Sequence, residues 1–327
     1  MTQTNGSNGM IAGSNLEKVL RAGHFAATGE LGPPTSANRE VIEKKAQYLK
    51  GNVDSVNITD NQTAVVRMSS ISVATMLLQL GIEPNIQMTA RDRNRIAIQS
   101  DLLGAWALGI KNLLCLTGDH QTFGNHPMAK NVFDMDSIGM LMMLRDMRDK
   151  GVIQSGAQMD VPPRFFLGAA ANPFADPFEF RPYRLAKKVK AGVDFIQTQI
   201  VFNVPKFADY MKRAGDLGLL DKVYILAGVS PIKTLGGARY MATKVPGMDV
   251  PDEYVQRMAD AVKGIPTEDK KARREAWEEA GINICVEVIQ QVRQIPGVAG
   301  VHIMAIEWEE AVPEIVKRAG LLPRPVV

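Results

Sequence analysis

The sequence predicts a single parallel (β/α)8 barrel, because eight short apolar runs alternate with segments of helical period and several of those runs end by turning polar. The clearest is Leu113-Leu114-Cys115-Leu116-Thr117-Gly118-Asp119, a strand-length stretch that stops at a glycine and delivers a carboxylate. The same order recurs in Ala26-Ala27-Thr28-Gly29-Glu30, Val56-Asn57-Ile58-Thr59-Asp60, Ile86-Gln87-Met88-Thr89-Ala90-Arg91 and Phe195-Ile196-Gln197-Thr198-Gln199. A doubly wound open sheet is the competing arrangement, since alternation alone does not prove closure. That arrangement calls for a Gly-rich dinucleotide fingerprint after an early strand; Gly236-Gly237-Ala238 is only a turn signal.

In chain order, strands are expected near 25–30, 53–59, 85–90, 112–117, 164–170, 194–200, 222–229 and 300–306. Helical segments fall between them at 38–49, 64–80, 93–108, 137–150, 177–191, 204–217, 251–263, 267–294 and 309–319. In the segment 64–80, Val65, Met68, Val73, Leu77 and Leu80 fall on one face, which suits a helix laid on a sheet. Gly51, Gly81, Gly109, Gly151, Gly192, Gly215 and Gly320 follow helical runs, where a left-handed cap favours glycine. Two connections, 118–136 and 233–266, exceed ordinary loops and lie at the strand ends where they would cover a site. Residues 1–15 read as a flexible N-terminal tail and 16–327 as one catalytic barrel.

Composition narrows the class of protein. With 46% hydrophobic residues the chain can bury a core, yet no apolar run approaches the ~20 residues of a membrane span. The start is rich in Gly, Asn, Ser and Thr without the order of a secretion signal, so a cytoplasmic protein with no membrane contact is expected. Cys115 in a strand and Cys285 in a helix read as reduced core residues. A net charge of +3 and 6% aromatics argue against nucleic acid. The cluster Lys270-Lys271-Ala272-Arg273-Arg274 sits among carboxylates and reads as a solvated helix face.

Active sites of such barrels lie at the C-terminal strand ends, so Glu30, Thr59, Thr89, Asp119, Gln199 and Ser230 should converge. His24, His120, His126 and His302 form no Ser-His-Asp triad with neighbours, and no metal-ligand spacing stands out, so no metal site is expected. Asp134 and Asp136 read as caps of the following helix. A carboxyl at an apolar strand end suits a general acid, and Glu30, flanked by Ala26, Ala27, Leu31, Pro33 and Pro34, fits that role; a structural ion pair is its alternative. Asp119 follows a glycine that lets a ligand approach the backbone, with a turn aspartate as the alternative.

Gly29-Glu30-Leu31-Gly32-Pro33-Pro34 resembles the first-strand Glu-x-x-Pro-Pro signature of methylenetetrahydrofolate reductases, and Leu116-Thr117-Gly118-Asp119 their fourth-strand Leu-x-Gly-Asp. Thr198-Gln199 with Val201-Phe202-Asn203 is similar to the sixth-strand Thr-Gln-x-x-Phe-Asp. Gly320-Leu321-Leu322-Pro323-Arg324-Pro325 is similar to the closing Gly-x-x-Pro. The order and spread of these four segments cover nearly the whole chain.

The resemblance implies a flavin-dependent barrel that reduces 5,10-methylenetetrahydrofolate to 5-methyltetrahydrofolate by hydride transfer from flavin N5. It implies Glu30 as the acid toward folate N10, Asp119 as a second catalytic carboxylate beside the flavin, and Gln199, Phe202 and Leu235 at the substrate. Thr59, Gln87, Thr117, Gly118, Asp119, Asn172 and Lys188 would hold the cofactor. Gln87, Thr117, Gly168 and Asn172 stand where well-known members carry His, Arg, Tyr and His, which weakens the match at the cofactor's adenosine half; FAD stays the first expectation and FMN the second. Leu235 stands where nicotinamide-using members place a Phe; electrons are expected from NAD(P)H or from an iron–sulfur partner protein. A folate-binding barrel acting in methyl transfer without redox chemistry is the alternative class, and the long helix 267–294 could serve a homo-oligomer.

Overall fold

The computed structural model describes residues 9–245 and 247–327. Eight strands, β1 (Ala26–Leu31), β2 (Ser55–Ile58), β3 (Pro84–Thr89), β4 (Asn112–Leu116), β5 (Phe166–Ala171), β6 (Phe195–Ile200), β7 (Tyr224–Val229) and β8 (Val298–Ile303), close into one barrel. Every neighbour pair is parallel, and β1 returns to β8 with Ala26 beside Gly300 and Gly29 beside Ile303, which excludes the open sheet. Around it run α1 (Asn15–Arg21), α2 (Arg39–Leu49), α3 (Ser70–Gln79), α4 (Arg95–Ala107), α5 (Ser137–Lys150) and α6 (Arg181–Ala191). They continue as α7 (Val204–Asp216), α8 (Leu235–Lys244), α9 (Asp252–Asp260), α10 (Lys270–Val292) and α11 (Val312–Arg318). None of these helices is long and apolar enough to cross a membrane.

Local chemistry sets the helix ends. Asn94 accepts from the N–H groups of Ile96 and Ala97, Asp136 from Gly139 and Asp269 from Ala272, each satisfying donors that a helix start leaves open. Asp134, read from the sequence as a second cap of α5, instead pairs with Arg95 at 2.7 Å and accepts its backbone N–H, tying its loop to the start of α4. Helix α3 starts six residues later than the expected Ala64. Asn61, Thr63 and Ala64 adopt φ of 46°, 53° and 56°, and this turn occupies the chain before the helix can form. The turn is backed by Gly124, where a Cβ would sit 1.8 Å from the Ala64 carbonyl oxygen. The connection 233–266 contains α9, inside the expected helix 251–263, and also α8, where no helix was expected.

Alternation along the strands sorts side chains into two compartments. Ala27, Leu31, Val56, Ile58, Ile86 and Met88 face the helices as part of the main core. Inside the barrel, the N-terminal end is filled by Ala26, Leu114, Phe166, Phe195 and Leu226, closed from below by Leu16, Val19 and Leu20 of α1. Phe195 lies over Gly168, where a Cβ would meet its ring at 2.3 Å, and stacks on Phe166. Of the expected flexible tail 1–15, residues 1–8 lie outside the described residues, and the inner part is tied down. Ile11, Ala12 and Gly13 donate their N–H groups to the buried Glu17 carboxylate, and Asn15 and Leu16 donate to Glu83.

The closing segment is held on the same face. Arg324 donates to Asp54 (Nε to Oδ1, 3.0 Å) and to the Phe25 carbonyl, while Asp54 also accepts the Ala27 N–H at 2.8 Å. Asp54 is buried at the foot of β2, so removing its partner leaves an uncompensated charge. Arg324→Ala is therefore expected to cost about 3–5 kcal/mol in chemical denaturation. Adding Asp54→Asn should recover part of the loss, and an unchanged midpoint for the single variant would show that the pair does not hold the terminus.

Candidate functional site

A cavity of about 390 Å³ opens at the C-terminal mouth of the barrel. Glu30 of β1, Gln87 of β3, Leu116 of β4, Gln199 of β6 and Met304 after β8 contribute to its walls, with Asn172 and Lys188 on the β5 side. A second chamber of about 250 Å³ adjoins it and contains Thr117, Gly118 and Asp119; Gln87 and Leu116 line both. Glu30 and Asp119 thus lie at one mouth, as the strand-end rule requires, but in neighbouring chambers.

Below the cavity runs a chain of buried hydrogen bonds across the interior. Asn85 donates to Asn57 (2.8 Å), Asn57 and Gln197 pair through both amide groups (2.5 and 3.0 Å), and Gln197 donates to Thr28 Oγ1 (3.1 Å). Thr28 Oγ1 lies 2.9 Å from His302 Nδ1 and 3.5 Å from the Val301 carbonyl. Where the Thr28 hydroxyl donates to Nδ1, the ring N–H is the one on Nε2. Nε2 faces Glu30 Oε2 at 3.6 Å. Strands β1, β2, β3, β6 and β8 all contribute, which makes the chain a consequence of barrel closure.

The remaining residues expected at the site divide. Gln199 lines the cavity and its Oε1 accepts the Ile200 N–H at 2.9 Å, which leaves its amide NH2 free to donate. Asn172 accepts from the N–H groups of Phe174 and Ala175 through Oδ1 and turns the chain after β5. Lys188 donates to the Ala170 carbonyl; burial, reinforced by the Arg184 charge, brings its ammonium down to about 8. Thr117 Oγ1 accepts the Ser137 N–H at 3.1 Å. Gly118 has φ of 94° and a Cβ there would lie 2.9 Å from Arg91 Cβ, so a bare backbone is required. The exposed Asp119 accepts the Thr63 N–H at 3.2 Å, and its carbonyl accepts from Arg91.

Four of the expected residues line neither chamber; one of them, Ser230, is buried and donates its hydroxyl to the Met304 carbonyl at 2.8 Å. Thr59 is buried and its hydroxyl has no hydrogen-bond partner among the described residues. Phe202, two residues beyond the end of β6, turns into the outer core and meets Tyr254 edge-on with centroids 6.3 Å apart. Leu235 begins α8 and packs its apolar side chain on the same core.

Sequence reading missed other members. His302 was set aside because it lies inside a strand, yet position 302 alternates inward as 300 and 304 do. Arg181, Arg184 and Lys188 follow i, i+3, i+7 spacing and line the cavity along one face of α6. Arg91, at the polar end of the Ile86–Arg91 run, is buried and joins Asp92, the Asn61 carbonyl and the Asp119 carbonyl. Among the described residues, no three His, Cys, Asp or Glu side chains gather as a metal centre needs.

The sequence model of the family described as methylenetetrahydrofolate reductase matches residues 15–320. "Methylenetetrahydrofolate reductase 2" of Schizosaccharomyces pombe is 24% identical over 327 residues, covering 94% of this chain and 47% of that protein. "Probable methylenetetrahydrofolate reductase (NADPH)" of Caenorhabditis elegans is 24% identical over 260 residues, covering 78% of this chain and 35% of that one. The chain thus spans less than half the length of these relatives. Among solved structures, a Clostridium thermocellum protein described as binding two copies of 5-methyl-5,6,7,8-tetrahydrofolic acid shares the fold. Its TM-score is 0.61 at 15% identity, over 92% of this chain and 99% of that one. A family match that runs from the start of α1 to the glycine after α11, on the closed barrel the motifs called for, places this chain in the methylenetetrahydrofolate reductase family.

Proposed function

We propose that this chain reduces 5,10-methylenetetrahydrofolate to 5-methyltetrahydrofolate with a flavin as hydride source and Glu30 as proton donor. The observation that carries this reading is Glu30: a strand-end carboxyl on the cavity wall, with His302 Nε2 3.6 Å away and amide side chains lining the same cavity. Membership of the family and the names of the relatives support the substrate.

The cavity suits a flavin. Ala170 and Ala171 keep one wall low, Gln87, Asn172 and Gln199 offer amide groups to a polar ring edge, and Lys188 supplies a cation for a phosphate. When bound, the flavin supplies the hydride that the folate methylene carbon accepts.

Glu30 delivers its proton to folate N10 and so opens the five-membered ring. His302 then directs its Nε2–H at the carboxylate left behind, and the amide chain beneath holds the imidazole in that orientation. Gln199 donates through its free NH2 to the pterin. Asp119 acts from the adjoining chamber, where it adds negative charge beyond the Gln87 and Leu116 wall.

Glu30→Gln should leave flavin bound while slowing reoxidation of the reduced protein by methylenetetrahydrofolate about 10²–10⁴-fold in stopped-flow absorbance. Turnover near that of the unaltered protein would remove Glu30 from the chemistry. Lys188 is charged below pH 8 and neutral above it, so affinity for a phosphorylated flavin should be highest below pH 8 and fall as pH rises through that value. Lys188→Arg, which stays charged, should flatten the profile in a fluorescence titration; an unchanged profile would detach Lys188 from the phosphate.

A further inference from the structure

Glu30 stands where its strand loses a neighbour. The β1–β8 ladder runs from Ala26 beside Gly300 to Gly29 beside Ile303, whereas the β1–β2 ladder continues through Glu30 beside Asn57 to Leu31 beside Ile58. Past Gly29, strand pairing holds β1 on the β2 side only. The 3.6 Å approach of Glu30 to His302 is made across to β8, so a tie other than the ladder has to keep the two strand exits together.

The segment leaving β1 is Gly32-Pro33-Pro34, and neither proline has an N–H with which to anchor it. Its carbonyls serve instead. Lys45 Nζ of α2 donates to the Gly32 carbonyl at 3.1 Å, Arg67 Nη1 to the Pro33 carbonyl at 2.9 Å, and the Met68 N–H to the Pro34 carbonyl at 2.9 Å. Both cations reach on to carboxylates in the segment that leaves β8, Lys45 to Glu309 at 2.7 Å and Arg67 to Glu307 at 3.6 Å. The two bridges differ in weight. Glu307 is 68% exposed, so its longer pair is screened by water, while the Glu309 and Lys45 side chains are 5% and 21% exposed. A short, charge-assisted contact out of water is the one that resists separation. Lys45 lines neither of the two chambers, so its reach to the chemistry runs through the loop it holds.

We propose that Lys45 is a positioning residue for Glu30: bridged to Glu309, it pins the exit of β1 to the exit of β8 and so fixes the carboxyl relative to His302 and the substrate. This rests on the reading of Glu30 as proton donor and deepens it. A misplacement of about 1 Å can cost about 10²-fold in rate. The test uses flavin-loaded protein reduced with dithionite and mixed with methylenetetrahydrofolate in a stopped-flow absorbance experiment. Three variants are compared: Lys45→Met; Lys45→Met with Glu309→Gln, which leaves no unpaired buried carboxylate; and Lys45→Arg, which can remake both contacts.

The expected result is a saturating reoxidation rate about 10–10²-fold lower in the first two, with flavin affinity and the half-saturating folate concentration within about twofold, and recovery to within about threefold in Lys45→Arg. Added to Glu30→Gln, the pair of substitutions should lower the rate no further, because a residue that acts through Glu30 has nothing left to place. An unchanged rate in the double variant, loss of flavin binding in both Met variants, a rate loss matched by a rise in half-saturating folate, or a full further loss on top of Glu30→Gln each overturns the positioning role while the proton-donor reading survives. A protein that takes up no flavin, or a Glu30→Gln variant that turns over normally, ends the proton-donor reading and this inference with it.

Discussion

The buried hydrogen-bond chain from Asn85 through Asn57, Gln197 and Thr28 to His302 is the constraint on which the mouth of this barrel depends. Amides placed inside a barrel lose their water and must find partners in one another. Here the pairing is nearly complete, with the Asn85 Oδ1 left over. Because each link comes from a different strand, register errors in the sheet break the chain, and an intact chain fixes where the Glu30 and His302 side chains stand. Asn85 donates into it at one end, Asn57 and Gln197 donate to each other, and Gln197 donates on to Thr28 beside His302.

That polar layer divides the molecule. Beneath it, aromatic and aliphatic side chains and the α1 plug fill the barrel, and Arg324 with Asp54 locks the closing segment to the strand starts. Above it, small residues and amides leave a cavity. Stability is thus concentrated at one end and chemistry at the other, the usual economy of this architecture. The second chamber depends on a different support: buried Arg91 joins the loops after β2 and β4, and Gly124 seats one of them on Ala64. Asp119 contributes to that loop support as well as to the chamber, so its two sequence readings are not exclusive.

Much of this was legible in the sequence because period-two alternation and glycine stops are local signals. All eight strands were found within a few residues, and Ser137–Lys150 was found at its observed bounds. Helix α3 was overextended because left-handed turns at Asn61, Thr63 and Ala64 carry no glycine to mark them. At the site, Glu30, Gln87, Asn172 and Gln199 came together from β1, β3, β5 and β6, with Lys188 of α6 beside them. Phe202 and Leu235 were carried over from motif position alone, and position in a motif does not say whether a side chain turns toward the cavity or the outer core. His302 was missed for the opposite reason: its role comes from contacts with Thr28 and Glu30, more than 270 positions away in the chain.

The most direct test of the account is the tautomer of His302, read by nitrogen-15 NMR of protein labelled at histidine and assigned with His302→Gln. Gln197 donating to Thr28, and Thr28 to the ring, predicts the neutral imidazole protonated on Nε2, with Nδ1 as the acceptor of the Thr28 hydroxyl. A ring protonated on Nδ1 instead would reverse the polarity of the last link and contradict the claim that the buried network delivers an N–H to the carboxylate.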